Sequence, residues 1–264
     1  MIYKSKPLVK RTVRGRGEYN DASSPDGNNV IFNTYRFSGW KLGMGKLENG
    51  VVSEVQKWTD RSNYEYEARY SPDGSRVAYQ EFNWGTRDVD IFIADKNGKN
   101  AGHFVKSADG DRTPHWTSDG KSIVFTSGRE NGYSIYIKSI TRREAKKLTT
   151  ESSNDFATST SKNTNKIAYL SDAGGEINLY TMNIDGSNKR KLTANLDSVK
   201  FTMNGYEDSG YWAMKTSCPP DGKQIVFNIP YKRDMGLFIV KSDSRGLKQI
   251  TDNSDTDMSP FWTY

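Results

Sequence analysis

The chain has 264 residues, 34% of them hydrophobic and 12% aromatic, with a mean hydropathy of −0.81. Its 38 Lys and Arg against 32 Asp and Glu give a formal charge of +6, in scattered clusters rather than the continuous basic stripe that nucleic acid requires, so no nucleic-acid partner is expected. There is no apolar run long enough for a transmembrane segment, and the single cysteine, Cys218, excludes an internal disulfide.

In chain order, residues 1–13 (MIYKSKPLVKRTV) lack a signal-peptide pattern, because Lys4, Lys6, Lys10 and Arg11 interrupt any apolar core. Residues 23–33 (SSPDGNNVIFN) read as a tight turn leading into a strand, since glycine accepts positive φ without steric cost. The same shape returns at residues 70–80 (YSPDGSRVAYQ), within residues 111–128 (DRTPHWTSDGKSIVFTSG) and at residues 218–228 (CPPDGKQIVFN). Residues 160–170 (TSKNTNKIAYL) keep the strand, with Asn163 and Thr164 in place of Asp-Gly. The last residues (DMSPFWTY) repeat the spacing of Asp111, Pro114 and Trp116 in Asp257, Pro260 and Trp262.

With Ser23, Tyr70, Trp116, Thr160, Cys218 and Trp262 as equivalent positions, the intervals are 47, 46, 44, 58 and 44 residues. A fixed period of this size marks an array or propeller, here with one insertion between Thr193 and Cys218. Each unit reads as four short strands. In the third unit the inner strand ends near Trp116, and further strands span residues 122–127, 133–139 and 145–150. Third strands are also expected at 89–95, 177–183 and 236–242, and fourth strands end in KKLT, RKLT and KQIT at Thr149, Thr193 and Thr251. No segment sustains a helical period, so the chain reads as all-β and as one domain over residues 1–264.

The units resemble the TolB-type, WD-like (PD40) propeller repeat. The residues that carry the resemblance are SPDG at 24–27 and 71–74, LYTMNIDGSNKRKLT at 179–193 and DRTPHWTSDGKSIVFTS at 111–127. Five units are complete and a sixth inner strand follows, so the expected fold is a six-bladed β-propeller with four-stranded antiparallel blades. Its reduced sixth blade would be closed by the N- and C-terminal segments, which removes exposed sheet edges; the alternative is a fragment of a longer chain.

Two features bear on function. Five residues before each equivalent position stand Glu18, Glu65, Asp111, Asp155, Ala213 and Asp257, five carboxylates at six sites. Crowded at a tunnel mouth, such carboxylates repel one another and call for donors or a cation. They would hold a divalent cation such as calcium, an ammonium or a basic side chain of a partner, or serve only as internal hydrogen-bond acceptors; Glu207 or Asp208 could fill the sixth place. The second feature does not repeat. The insertion brings Tyr206, Tyr211 and Trp212, and loops expected on the same face add Tyr35, Trp40, Trp84, Arg87, Arg129, Tyr231 and Arg233. Aromatic and arginine side chains dominate binding hot spots, so this face is read as the ligand-binding surface.

Catalysis has little to stand on. Two histidines, His103 and His115, have no metal-ligand spacing, whereas the propeller-type pectate lyases that share the repeat are expected to use several. No G-x-S-x-G elbow occurs, and Cys218 occupies a core position. The preferred reading is a non-enzymatic, monomeric binding propeller that holds a protein partner in the bacterial cell envelope, with a periplasmic or secreted location implied by the resemblance. The alternative is a carbohydrate-binding or carbohydrate-active propeller, with the divalent cation at the tunnel mouth and a glycan on the loop face.

Overall fold

The computed structural model describes residues 18–130, 132–150, 153–193, 213–231, 234–251 and Pro260. The chain is all-β, and its described residues fall into two compact units, one ending at Pro114 and the other beginning at His115.

In the first unit, β1 (Tyr19–Ser23), β2 (Asn29–Thr34), β3 (Lys41–Glu48) and β4 (Val51–Lys57) form one antiparallel blade. A second consists of β5 (Tyr64–Tyr70), β6 (Arg76–Phe82), β7 (Val89–Asp95) and β8 (Gly102–Val105). A third runs through β9 (Asp111–Trp116), β10 (Ser122–Ser127), β11 (Ser134–Ser139) and β12 (Lys146–Lys147). The second unit continues with β13 (Asp155–Thr160), β14 (Lys166–Ser171), β15 (Asn178–Asn183) and β16 (Arg190–Lys191). The last blade comprises β17 (Thr216–Ser217), β18 (Gln224–Tyr231), β19 (Asp234–Lys241) and β20 (Lys248–Gln249).

These five four-stranded blades correct the expectation of six. Every described strand is used within a sheet that starts at its own inner strand and ends at its own fourth strand. A blade needs hairpin turns as well as an inner strand, and the terminal Asp257, Pro260 and Trp262 motif repeats only the inner-strand signature. Residues 1–17 and, apart from Pro260, residues 252–264 lie outside the described residues, as does the insertion at 194–212.

The repeat motifs have local physical causes. In the first turn Ser24 Oγ accepts the Asn29 amide at 3.0 Å and donates to Asp26, whose carboxylate takes the Asn28 amide at 3.0 Å. Ser71 with Asp73 and Thr117 with Asp119 repeat this arrangement. In the fourth turn Asn165 takes the left-handed conformation at φ 49°, which explains how the hairpin survives without Asp-Gly. The KLT and QIT endings are also explained. Thr149, Thr193 and Thr251 each accept, through Oγ1, a third-strand amide: Ile135 at 3.0 Å, Leu179 at 2.9 Å and Leu237 at 3.1 Å. The fourth strand thereby caps the third with a side chain where the ladder stops.

Within four blades the second and third strands face aromatics in register: Tyr79 with Phe92, Phe125 with Tyr136, Tyr169 with Tyr180 and Phe227 with Phe238. Their centroids lie 5.6–5.9 Å apart in stacked geometry. In the first blade Phe32 instead faces Gly43, and a Cβ there would approach the Phe32 ring at 3.4 Å. Apolar layers between blades hold the units together internally. Ile31, Leu42, Trp58, Val77, Tyr79 and Phe92 join the first two blades. Phe156, Leu170, Leu179, Ile225, Phe227 and Val240 join the last two.

Candidate functional site

The richest surface in the described residues lies in the first unit, where loops and strand ends of the first two blades meet. The β6–β7 loop is a rigid turn: Asn83 Oδ1 accepts the amides of Gly85 at 2.8 Å and Thr86 at 3.3 Å, and the Arg87 amide donates to Asn83 O at 2.8 Å. This turn presents Trp84, 57% exposed, and the exposed Arg87, which is held at φ 63°. Trp84 is braced rather than loose. It packs edge to face on Tyr64 at 5.0 Å and on Phe82 at 4.9 Å, and Tyr64 in turn contacts Tyr66 at 6.5 Å.

The β2–β3 loop reaches the same ring system. Tyr35 and Trp40 pair edge to face at 5.2 Å, the Trp40 carbonyl accepts the Glu65 amide at 3.1 Å, and a Cβ on Gly39 would fall 2.6 Å from the Tyr64 ring. Glycine at position 39, with φ 117°, is what allows this close approach. Tyr35, Trp40 and Trp84 are thus brought into one region of the first unit with Tyr64, Tyr66 and Phe82. The last three were not singled out from the sequence, because Tyr64 and Tyr66 read as ordinary alternating strand residues.

On the other face of β5, Glu65, one of the carboxylates singled out from the sequence, belongs to a charged layer whose other members sequence reasoning missed. Arg61 clasps Glu81 through both guanidinium and carboxylate, with Nη2 donating to Oε1 at 2.8 Å, and Asn63 Nδ2 adds a bond to the same oxygen at 2.9 Å. The Arg61 guanidinium lies 4.3 Å over the Phe92 ring. Lys41, almost fully buried, donates from Nζ to the carbonyl oxygens of Arg61, Ser62 and Asn63. Glu65 is fully buried. Thr59 Oγ1 donates to its Oε1, while Oε2 has no hydrogen-bond partner among the described residues. Burial pushes the Glu65 carboxyl above its ordinary range, opposed by the Thr59 hydroxyl and by the Lys41 charge; burial likewise pulls the Lys41 ammonium down, opposed by Glu65. Further out, the buried Asp90 faces His103 Nδ1 at 3.6 Å, and burial raises its carboxyl too.

Of the carboxylates expected at a tunnel mouth, Glu18, Glu65 and Asp155 accept hydrogen bonds from side chains of their own unit. Glu18 accepts from Arg36 Nε at 2.7 Å and from Thr34 Oγ1 at 3.3 Å. Asp155 accepts from Ser153 Oγ at 3.4 Å, and Asp111 and Asp155 are both fully buried. Among the described residues no three His, Cys, Asp or Glu side chains converge as metal ligands. Asp257 lies outside the described residues.

Of the remaining rim residues, Arg129 in the second unit turns back onto its own blade, its guanidinium 4.7 Å over Tyr136 and its Nε donating to Ser127 Oγ at 2.8 Å. Tyr231 ends β18, opposite Asp234 at the hairpin tip. Tyr206, Tyr211, Trp212 and Arg233 lie outside the described residues. Cys218 packs against the core of the last two blades, near Ser159 Oγ at 3.5 Å, and burial pushes its thiol up to about 11. A thiol so shifted is a packing group rather than a nucleophile at neutral pH.

Comparison with known proteins decides the family. The family model described as the TolB beta propeller domain matches residues 68–216, more than half of the chain. The chain belongs to the TolB beta-propeller domain family. A curated relative, the Tol-Pal system protein TolB of Xylella fastidiosa, is 35% identical over 68 residues, which cover 25% of this chain and 16% of that protein. TolB from Acinetobacter baumannii superimposes with a TM-score of 0.68 at 19% identity over 87% of this chain and 53% of the other. A putative TolB from Agrobacterium tumefaciens gives 0.66 at 18% identity, covering 89% and 80%. The two structural matches establish the TolB-type propeller fold; the chain spans about half the length of the Acinetobacter protein and a sixth of the Xylella one.

No helix among the described residues is long and apolar enough to cross a membrane.

Proposed function

We propose that this TolB-type propeller is a non-enzymatic binding module that takes a protein partner of the bacterial cell envelope on the surface of the first unit bearing Tyr35, Trp40, Trp84 and Arg87. The observation that carries this reading is Trp84, a large apolar side chain left 57% exposed yet held by a rigid turn and braced by Tyr64 and Phe82. An exposed side chain fixed in advance loses little conformational entropy on binding, and Trp and Arg are the residue types most enriched at interface hot spots. The Xylella relative, by its name a Tol-Pal system protein, supports a protein partner and an envelope location, periplasmic or secreted.

The test is photo-crosslinking in a bacterial host with benzoylphenylalanine at position 84 and, as control, at Val51, an exposed outer-strand residue of the same unit. A discrete protein adduct at position 84 that is absent at position 51 supports the reading. The same adducts at both positions, or none at 84, overturn it.

A further inference from the structure

Three successive carbonyl oxygens of the connection between β4 and β5 point at one place. The Arg61, Ser62 and Asn63 oxygens all accept from Lys41 Nζ, at 3.1 Å and 2.6 Å for the first two. An ammonium has three donors and no acceptor, so this cage uses its full hydrogen-bonding capacity. Carbonyl groups converging this way create a negative potential that suits a cation and repels other acceptors. The surroundings agree: Glu65, fully buried, has one oxygen without a hydrogen-bond partner among the described residues, and its charge interacts with that of Lys41. Lys41 reaches the cage from the start of β3, with its stem buried beneath the connection.

We propose that the carbonyl cage of residues 61–63 is a cation-binding site whose resident cation is the Lys41 ammonium, and that removing the Lys41 side chain opens it to small primary ammonium ions. The consequence reaches the charged layer, because the same connection carries Thr59, Arg61 and Asn63, which bind Glu65 and Glu81. With the cage empty, the Ser62 and Asn63 carbonyls lose their ammonium donor, the Arg61 carbonyl keeps only Lys57 Nζ, and the buried Glu65 loses a compensating charge, which is costly for a desolvated carboxylate. Lys41 therefore fastens the link between the first two blades as a metal ion would, without a free ion.

The test is thermal unfolding of Lys41→Ala in n-propylammonium chloride, which replaces Cγ through Nζ, against sodium chloride and the propyltrimethylammonium salt, which has no N–H to donate. A ligand present at about ten times its Kd raises the melting temperature of a domain this size by roughly 4 °C. The expected result is a rise of that order for Lys41→Ala in propylammonium only, and none for wild type. Lys57 Nζ already lies 3.3 Å from the Arg61 oxygen, so Lys41→Ala is also made together with Lys57→Met. A response confined to the double variant still supports the site, with Lys57 as its second occupant. Equal responses to the primary and quaternary ammonium salts, or no response in either variant, overturn the proposal. If neither variant folds, nuclear magnetic resonance of the wild-type lysine ammonium groups decides. A slowly exchanging ammonium coupled across hydrogen bonds to the carbonyl carbons of Arg61, Ser62 and Asn63 supports the cage, and averaged, fast-exchanging signals from every lysine exclude it.

Discussion

Asn33 holds Glu67 across two blades: its Oδ1 accepts the Glu67 amide at 3.4 Å, while its Nδ2 donates to the neighbouring Glu65 carbonyl at 2.7 Å. The contact falls where β5 bulges and Glu67 adopts φ 54°. A bulge takes backbone groups out of the ladder, and the carboxamide supplies a donor and an acceptor in their place. The next blade uses the same device, with Gln80 Oε1 accepting the amide of Thr113, also left-handed at φ 50°. Asn33→Ala is expected to destabilise the fold by about 2–4 kcal/mol, since two buried backbone groups lose their partner. Urea denaturation checks this, and a loss below about 1 kcal/mol would mean that water replaces the amide.

Thr193 gives a second, independent test. Its Oγ1 accepts the Leu179 amide at 2.9 Å and donates to Asn178 Oδ1 at 3.0 Å, all in buried surroundings. Thr193→Val keeps the shape and removes both bonds, so a loss of roughly 1–3 kcal/mol is expected. The Leu179 amide should then exchange faster than its neighbours in hydrogen-exchange measurements. Thr251→Val, at a half-buried position, should cost less.

What the sequence made legible was whatever is local. The Asp-Gly turns, the apolar triplets and the KLT endings each bond within a few residues or across one hairpin, and β6, β7, β10, β11 and β14 lie where those signals put them. Blade number was misread because Asp257, Pro260 and Trp262 reproduce an inner-strand signature, and that signature by itself does not specify the other three strands of a blade. At the candidate site Trp84 stood out as an aromatic in a loop, whereas its supports Tyr64 and Phe82 lie in strands, where tyrosine and phenylalanine are unremarkable. In the charged layer Glu65 stood out as a repeated carboxylate, but its surroundings were invisible for a different reason. Lys41 and Arg61 meet the acids only through the packing of one blade on another, which no short motif encodes.

The Asp-Gly turns should leave a mark on the acid limb of stability. Asp73 takes hydrogen bonds from the Ser71 hydroxyl and from the amide and hydroxyl of Ser75, which hold its carboxyl down at about 2, from an ordinary 3.8. A carboxyl depressed in the folded state contributes stability that is present above its unfolded pKa and lost as pH falls through its folded one. Asp73→Asn should therefore be less stable than wild type by a small, constant margin from pH 5 to 8, because the group is exposed and screened. That margin should close between about pH 4 and 2. Asp26 and Asp119 are lowered by equivalent bonds, so the same variants there should behave alike. A margin that persists below pH 2 would trace the effect to shape rather than charge.

Two glycines that share a backbone conformation should respond very differently to alanine. Gly27 and Gly98 sit at φ 75° and 77°, so any side chain incurs the left-handed penalty of about 1–2 kcal/mol at either site. At Gly27 a Cβ would enter open space, and Gly27→Ala should cost no more than that penalty. At Gly98 the added carbon would lie 1.9 Å from the Trp58 carbonyl oxygen and 2.8 Å from its carbon, so backbone must move. Trp58 cannot yield cheaply. Its indole Nε1 donates to Lys96 O at 3.1 Å in the same turn, and its ring packs edge to face on Tyr79 at 5.4 Å in the layer between the first two blades. Gly98→Ala should therefore push the β7–β8 turn off the first blade, break the indole hydrogen bond and loosen that layer, costing at least about 3 kcal/mol. Thermal unfolding reads the loss, and a red shift in tryptophan emission reports Trp58 reaching water. A Gly98→Ala protein as stable as Gly27→Ala would show that the turn can slide without disturbing the first two blades.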